Sequence, residues 1–300
     1  EKTFNGKVNC KYYKGLGAST KDDISETFGR KMVEFVEDEK TNESMLKAFH
    51  KKFADTRKDW LKDFNPSNGV FRWLTGNSTE VKKITYSDFI NLEFIKFSKA
   101  SCDRAIPSLV DGLKETHRKV IYTCFKKNLK FSGKVLKVFQ LGGLVSATSA
   151  YHHGEKSMYD TITGMAASFV GYNNIPLLFR DGQFGSRSQG GKDAASARYV
   201  STKLDMLTRL IFRPEDDPIL TYRKDDGSYV EPEFYVPIIP MLLVNGSKGI
   251  GTGWSTNIPC YNPLDLIECI KVWLNNDGKC LISEGDMTIS VFPEIKPWYR

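Results

Sequence analysis

Residues 182–202 (GQFGSRSQGGKDAASARYVST) constrain this chain more than any other segment. Glycines occupy positions 182, 185, 190 and 191, and small polar residues fill most of the remainder. This composition predicts a loop that lies close to another part of the backbone or to a bulky ligand. The loop leads into Arg198 and Tyr199, an adjacent pair suited to phosphate chemistry, because tyrosine provides an oxygen nucleophile and arginine a planar cation that matches a phosphate.

Composition narrows the class of protein. The 300 residues predict about two domains, with 40% apolar residues to build a core, and the formal charge of +7 is compatible with a polyanionic partner. Six scattered cysteines without a CxxC pair, and only four histidines, argue against a zinc site and a disulfide framework. No apolar run approaches the length of a membrane span, about 20 residues.

The first third of the chain has a charged, helical pattern. Residues 7–13 alternate as a strand does, and Ser19 or Thr20 is placed to cap a helix. Residues 21–64 read as helical, with Phe35 and Val36 among the apolar positions at helical spacing. Residues 65–80 carry Pro, Gly, Ser, Thr and Asn and predict a loop, which we take as the first boundary.

The middle of the chain predicts a helix-turn-helix motif. A helix is expected over 88–97 and a basic amphipathic helix over 115–127, and residues 134–154 and 155–171 predict two helices that flank a break at Tyr151–Gly154. An ordinary pair of packed helices would give the same pattern. From about residue 216 the pattern changes, and short strands are expected at 220–223, 233–236 and 241–244, followed by a helix at 264–274.

Seven runs together resemble one family, the eukaryotic and large-DNA-virus branch of the type IIA DNA topoisomerases. They are KYYKGLGAST (11–20), AIPSLVDGLKETHRKVIYTCFK (105–126), KVFQLGG (137–143), SAYHHGE (149–155), DGQFGSRSQGGKDAASARY (181–199), EPEFYVPIIPMLLVNGSKGIGTGWSTNIP (231–259) and KPWYR (296–300). They span the chain and keep the family's order. Ala197 departs from the proline that many relatives carry before the Arg–Tyr pair.

The resemblance implies a multidomain α+β fold. Residues 1–25 would be the end of a metal-binding TOPRIM domain, 26–84 a helical segment and linker, 85–215 a winged-helix DNA-cleavage domain, and 216–300 the start of a mixed α/β tower domain. The implied activity is that of an ATP-dependent type II topoisomerase, which cleaves both strands of one duplex through 5′-phosphotyrosyl links, passes a second duplex and reseals the break.

The resemblance also implies residue roles. Tyr199 would be the nucleophile, and Arg198 would stabilise the charge that develops on the phosphate. Ile250 would be an apolar wedge that enters a base step and kinks the duplex. The remaining expected DNA contacts are Lys114, Arg118, Lys119, His152, His153, Gln183 and Lys192, of which Lys114, Arg118 and Lys119 would form one basic face.

Cofactors and partners follow in the same way. The family uses Mg²⁺ and ATP, but no metal ligand can be named in these residues, and we expect the acidic metal cluster and the ATPase domain to lie outside them. The segment alone should then bind DNA and cleave it poorly. The expected partners are double-stranded DNA and a second copy of the chain, in the nucleus or, for a viral protein, at cytoplasmic replication sites. The alternative is a non-catalytic winged-helix module that binds DNA and in which Tyr199 is structural.

Overall fold

The computed structural model describes residues 19–28, 33–65, 82–225, 227–284 and 287–299. These fall into two compact units. One holds the described residues up to Phe53 together with those from 63 to 96, and the other holds 54–62 and the described residues from 97 onward. The strand predicted at 7–13 and most of the loop predicted at 65–80 lie outside the described residues. The domain boundaries predicted at residues 25, 84 and 215 stay a prediction.

Helices and short strands alternate along the described residues, as the predicted α+β class requires. The α-helices are α1 (Lys21–Thr27), α2 (Thr41–Phe49), α3 (Ala54–Lys62), α4 (Tyr86–Asp88), α5 (Ile95–Ala105), α6 (Glu115–Lys126), α7 (Val138–Ser149), α8 (Glu155–Ala166), α9 (Thr208–Ile211), α10 (Met241–Val244) and α11 (Pro263–Asn275). The strands are β1 (Val33–Val36), β2 (Lys82–Thr85), β3 (Leu136–Lys137), β4 (Leu178–Asp181), β5 (Ser201–Leu204), β6 (Tyr222–Asp225), β7 (Ser228–Pro232), β8 (Ser247–Ile250), β9 (Ser255–Ile258), β10 (Leu281–Glu284) and β11 (Met287–Ser290).

In the first unit, one predicted helix boundary is confirmed and one helical segment is wrong. Thr20 caps α1, since its hydroxyl accepts from the Asp23 N–H at 3.3 Å while its own N–H donates to the Asp23 carboxylate at 2.9 Å. Phe35 and Val36, predicted to lie on a helix, instead belong to β1, which pairs in parallel with β2. Helical spacing cannot anticipate this result, because the partner strand is almost fifty residues away.

The helix predicted over 88–97 is confirmed and is longer than expected. The chain is helical without interruption from Tyr86 to Ala105, with a π-helical stretch at Phe89–Phe94 between α4 and α5. Inside this stretch the Asn91 side-chain amide donates to the Ser87 carbonyl at 2.8 Å. The end of α5 supports a glycine-rich hairpin, because Gly249 and Gly251 approach it closely.

The predicted helix-turn-helix motif is confirmed in the second unit. Helix α7 ends at Ser149, Ala150 turns the chain with a left-handed φ of 49°, and α8 begins after Gly154. Helices α6, α7 and α8 pack against one another, and their inward side chains form one hydrophobic core. This core includes Val120, Ile121, Cys124, Leu141, Val145, Met158 and Ile162. Burying each large aliphatic side chain contributes about 1.5–3 kcal/mol, so packing holds this motif together.

A three-stranded antiparallel sheet in the order β3-β5-β4 accompanies the helices. Its register opposes Asp181 to Ser201 across β4 and β5, so the glycine-rich loop of residues 182–200 connects two neighbouring strands. Three helices with such a small sheet form the winged-helix arrangement that was expected. The loop of the predicted nucleophile is therefore a wing that leaves the sheet at β4 and returns at β5.

The β-rich part of the chain follows, with two corrections. Strands β6–β7, β8–β9 and β10–β11 form two-stranded antiparallel pairs. The strand predicted at 241–244 is wrong, because Met241–Val244 forms the short helix α10 after Pro240, with Met241, Leu242 and Val244 buried. The strand predicted at 233–236 is also wrong, since β7 ends at Pro232. The run was apolar enough for either structure, and short apolar runs carry no decisive period.

Candidate functional site

The wing loop is held by its own glycines and side chains. Gly185 has a φ of +88°, and a Cβ placed on it would lie 2.5 Å from the Cα of Gly191, so only glycine fits. The Gln183 side-chain oxygen accepts from the N–H groups of Gly185 and Ala195, both at 3.0 Å. Gln183 was expected to contact DNA, and the structure gives its carbonyl a bracing role inside the loop.

A second brace lies opposite. The Ser186 N–H donates to the Asp193 carboxylate at 2.8 Å, and hydrogen bonds from Ser186 lower the pKa of that carboxyl. Asp193 is therefore ionised at neutral pH and ties the two limbs of the loop together. The loop is consequently a defined structure in front of Arg198, although no regular strand runs through it.

Tyr199 carries an exposed side chain on a fixed backbone. Its side chain is among the most exposed of the large ones, at 73%, whereas the next residue, Val200, is buried at 1%. The Tyr199 N–H donates to the Ser196 carbonyl at 2.8 Å, and its own carbonyl accepts from the Lys137 ammonium at 3.2 Å. The Val138 N–H donates to the Val200 carbonyl at 3.0 Å, which attaches this segment to the start of α7. The phenol thus stands in solvent at a position that the fold determines.

Arg198 lines a cavity of about 1070 Å³ between the wing loop and α8. Lys192 and Arg198 provide positive charge from the loop side. The α8 side presents Lys156 paired with Asp160 at 3.2 Å, and Tyr159, whose hydroxyl donates to the Glu155 carboxylate at 3.3 Å. The cavity is open and polar, and two cations of the loop line it beside the exposed phenol, which is a suitable environment for a phosphodiester.

A second cavity, of about 700 Å³, lies against another part of α8. Lys114, His117 and Lys248 line it, and it shares Lys156 and Asp160 with the first cavity. Helix α8 is therefore the common wall of two cavities, and predicted contact residues occur in both. The structure brings Arg198, Lys192 and Lys114 to one helix, although they are distant in sequence.

The two adjacent histidines occupy the turn before α8. The ring of His152 lies 3.2 Å from the Asp225 carboxylate, measured from Nε2 to Oδ2, and the ring of His153 packs edge-on against Tyr151 at 5.2 Å between centroids. Burial, with the positive charge of Arg104, lowers the pKa of His153. At neutral pH His153 is therefore an uncharged, exposed imidazole that can donate or accept a hydrogen bond.

Ile250 is exposed at the end of a hairpin. It is the last residue of β8, it pairs with Ser255 of β9, and its side chain is 76% exposed. The Lys114 ammonium donates to the Lys248 carbonyl at 2.7 Å, two residues before Ile250. Burial lowers the pKa of Lys114. The expectation of an exposed apolar residue between glycines is confirmed, and Lys114 supports the hairpin that presents it.

The predicted basic face of Lys114, Arg118 and Lys119 is wrong for two of its three members. The Arg118 guanidinium donates to both oxygens of Asp111, at 2.9 and 3.2 Å, and Arg118 is 4% exposed. The Lys119 ammonium lies 2.8 Å from the Glu231 carboxylate, and Lys119 is 5% exposed. Both cations neutralise buried carboxylates, so in this structure neither side chain reaches a surface where DNA could lie.

Sequence reasoning therefore missed the acidic partners. Asp111 accepts from Arg118 and also from the Tyr235 N–H at 2.9 Å, so it joins the DGLK turn to a distant segment. Lys137, which holds the Tyr199 carbonyl, was also missed. Asp111 and Lys137 lie inside quoted motifs, and an acidic residue seven positions before a basic one, across a Gly turn, was the only available signal.

The described residues offer no ready site for a metal ion, since no three His, Cys, Asp or Glu side chains gather among them. The family-implied magnesium therefore has no ligand set in this part of the chain. Within the same described ranges, no helix is both long and apolar enough to cross a membrane.

Two family models match the chain. The model of the DNA gyrase/topoisomerase IV family matches residues 104–300, and the model described as the C-terminal associated domain of TOPRIM matches residues 1–102. The junction of the two matches lies at the end of α5. The first match alone covers well over half of the chain.

Curated relatives and a solved structure agree with these models. The chain is 51% identical to probable DNA topoisomerase 2 of Dictyostelium discoideum over 97% of its length, and 46% identical to DNA topoisomerase 2 of Invertebrate iridescent virus 6 over all of it. It spans only 18% and 25% of the lengths of those relatives. A crystal structure of the Plasmodium falciparum topoisomerase II DNA-binding, cleavage and re-ligation domain matches 89% of the chain, at a TM-score of 0.73 and 45% identity, and the match covers 36% of that structure.

Proposed function

The chain belongs to the type II DNA topoisomerases, as a DNA-binding and cleavage region, and from this premise we propose that Tyr199 is the residue that cleaves DNA. The whole protein would be an ATP-dependent topoisomerase that opens one duplex, passes another through it and reseals the break. The observation that carries the proposal is the phenol of Tyr199, exposed on a fixed backbone and adjacent to Arg198 at the mouth of a polar cavity.

The chemistry is a transesterification. The Tyr199 oxygen attacks a backbone phosphorus, the phenolic proton passes to a base or to solvent, and the bond from phosphorus to the 3′ oxygen breaks. The products are a 5′-phosphotyrosyl link and a free 3′ hydroxyl, so the number of phosphoester bonds is conserved and the reverse attack reseals the strand. Arg198 offers a fixed guanidinium to the phosphate oxygens as their charge grows.

Helix α8 would be the recognition element of the bound duplex. The cavity on its loop side carries Arg198 and Lys192, and the turn before it carries His152 and His153. We assign phosphate contacts to Lys192 and to His153, with Lys114 in the second cavity. Gln183 contributes by bracing the loop, and Arg118 and Lys119 contribute through the buried structure and not through contact with DNA.

Ile250 would enter a base step of this duplex. An apolar side chain that is 76% exposed at a hairpin end is costly in water and suited to insertion between bases. Unstacking one step costs a few kcal/mol, which wider contact between protein and bent DNA recovers. The proposal therefore includes a kink in the cleaved duplex.

The proposal extends to the rest of the protein. The partners are double-stranded DNA and a second copy of the chain, because two nucleophiles are needed to cut two strands. Mg²⁺ and ATP are proposed as cofactors of the whole protein, with ligands other than the residues described here. The site of action is the nucleus, or viral replication sites in the cytoplasm if the protein is viral, since relatives of both kinds match the chain.

The test is Tyr199→Phe in the full-length protein with supercoiled plasmid, Mg²⁺ and ATP. The reaction is stopped with detergent, and DNA that is covalently attached to protein is measured. We expect the variant to bind DNA with unchanged affinity and to form no covalent adduct, because the change removes one oxygen atom from an exposed side chain. Tyr229→Phe is the control, since Tyr229 is also exposed, at 57%, and lies outside the cavity of Arg198.

An unchanged adduct yield in Tyr199→Phe would contradict the assignment of the nucleophile. Absence of any adduct in the wild-type protein, together with intact DNA binding, would favour the alternative of a non-catalytic winged-helix module. Relaxation of the plasmid provides a second readout, because strand passage requires the same cleavage step.

A further inference from the structure

The Ile250 hairpin meets the end of α5 at an unusually close distance. A Cβ placed on Gly249 would lie 2.1 Å from the Ala105 carbonyl oxygen, and one placed on Gly251 would lie 2.9 Å from the Cys102 sulfur. Cβ atoms in proteins do not approach other heavy atoms this closely. The residues on both sides of Ile250 therefore touch α5, while Ile250 itself points into solvent.

Cys102 makes two hydrogen bonds to the residue after this contact. Its sulfur accepts from the Thr252 N–H at 3.1 Å, and its S–H donates to the Thr252 carbonyl at 3.2 Å. The side chain is buried, at 8% exposure. Burial raises the pKa of the Cys102 thiol, so the sulfur keeps its proton at neutral pH and can donate.

The other fastenings of the turn are weaker in kind. The Gly251 N–H donates to the Trp254 carbonyl at 2.9 Å within the hairpin, and Gly253, at a φ of +79°, lies against the backbone of α3 near Lys58. Neither connects the turn to α5. Within the described part of the chain, Cys102 alone connects residues 249–253 to α5 through side-chain hydrogen bonds.

We propose that Cys102 is a positioning residue for Ile250, holding the hairpin end to α5 so that the isoleucine enters DNA at a defined angle. The inference rests on the proposed function, in which Ile250 is the inserting wedge. A wedge that must part stacked bases needs a base that does not yield under the load. Cys102 suits this task, because a thiol both accepts and donates and fits the narrow gap beside Gly251.

The first test needs no DNA. Hydrogen–deuterium exchange of the peptide that covers residues 248–256 is measured in the full-length protein for wild type, Cys102→Ala, Cys102→Ser and the control Cys269→Ala. Cys269 lies in α11 and is only partly buried. In Cys102→Ala we expect exchange of this peptide to be roughly tenfold faster than in wild type, with unchanged exchange in β4 and β5. Cys102→Ser, which keeps a donor and an acceptor, should recover part of the protection.

The second test measures DNA bending by energy transfer between dyes at the two ends of a duplex, at saturating protein. We expect Cys102→Ala to reduce the bend, as Ile250→Ala does, while Cys102→Ser and Cys269→Ala retain more of it. Unchanged exchange in Cys102→Ala would overturn the inference, and so would faster exchange with a wild-type bend in a system where Ile250→Ala straightens the DNA. Absence of bending by the wild-type protein would contradict the proposed function instead, since the exchange experiment reports on the contact between Cys102 and Thr252 alone.

Discussion

The Lys119 ammonium lies 2.8 Å from the Glu231 carboxylate, and the two side chains are 6% and 2% exposed. The same ammonium donates to the Ser149 carbonyl at 2.7 Å, where α7 ends. One buried cation thus joins α6, β7 and the last turn of α7, next to the left-handed turn at Ala150 that leads to the two histidines. A helix end that is buried needs such a donor, because its last carbonyl groups have no partner within the helix.

Lys119→Met should therefore destabilise the fold. The change leaves the Glu231 carboxylate buried without its cation, and breaking such a pair costs about 3–5 kcal/mol. Urea unfolding measures the free energy directly. The matched control is Lys271→Met, whose pair with Glu268 at 2.7 Å has both side chains 61% exposed and should contribute at most about 1 kcal/mol. Similar losses for the two variants would contradict the structural role of Lys119.

Gly185→Ala should disable cleavage while the fold persists. The added methyl group would lie 2.5 Å from the Gly191 Cα, so the two limbs of the wing loop must separate and Arg198 and Tyr199 must move. Displacement of about 1 Å can cost a hundredfold in rate, and we expect a loss of covalent adduct of that order. Gly190→Ala is the control, since Gly190 also has a positive φ, of 59°, but no atom of the described residues lies within 4 Å of its Cβ position. Equal losses would mean that backbone conformation matters and the contact does not.

Lys192→Gln should make DNA binding less dependent on salt. An exposed lysine that contacts one phosphate releases about one counterion, so the slope of log affinity against log salt should become shallower by about 0.9. Titrations at several salt concentrations give this slope for wild type, Lys192→Gln and Lys271→Gln. The last variant removes an exposed charge from α11 and should keep the wild-type slope. A parallel line for Lys192→Gln would remove it from the proposed contacts.

His117 should make the fold sensitive to mild acid. Burial, with the charges of Lys114 and Arg118, lowers the pKa of His117 from 6.5 to about 4, and its ring nitrogen accepts from the Lys114 N–H at 3.4 Å, which requires the neutral imidazole. The unfolded chain takes up this proton more readily, so stability that is complete above about pH 6.5 falls as the pH drops towards 4, by roughly 2–4 kcal/mol. Unfolding of His117→Gln across this range should lose that part of the pH dependence, and curves that stay parallel to wild type would refute it.

Local signals in the sequence were reliable where a few adjacent residues decide the structure. The Thr20 cap, the break between α7 and α8 and the glycine-rich loop before Tyr199 were all predicted, because caps, turns and glycine conformations depend on residues within a few positions. Motifs of the same kind carried the family resemblance, which the matching family models confirm.

Distant contacts decided the cases in which sequence reasoning was wrong. Phe35 and Val36 have helical spacing but form β1, because β2 pairs with them. Residues 241–244 are apolar enough for a strand but follow Pro240 as one turn of helix. In each case burial and pairing contribute more free energy than local propensity, which is a weak preference.

The sequence by itself determined which residues can do chemistry: a tyrosine beside an arginine after a loop that only glycine can form, and an isoleucine between glycines. Only the tertiary structure decided which charged residues are free to meet a ligand. Lys119 and Glu231 are 112 residues apart, and Cys102 and Thr252 are 150 apart, so no local pattern reports either contact. A basic residue reads alike in the sequence whether it faces solvent or a buried carboxylate, since its environment is created by folding.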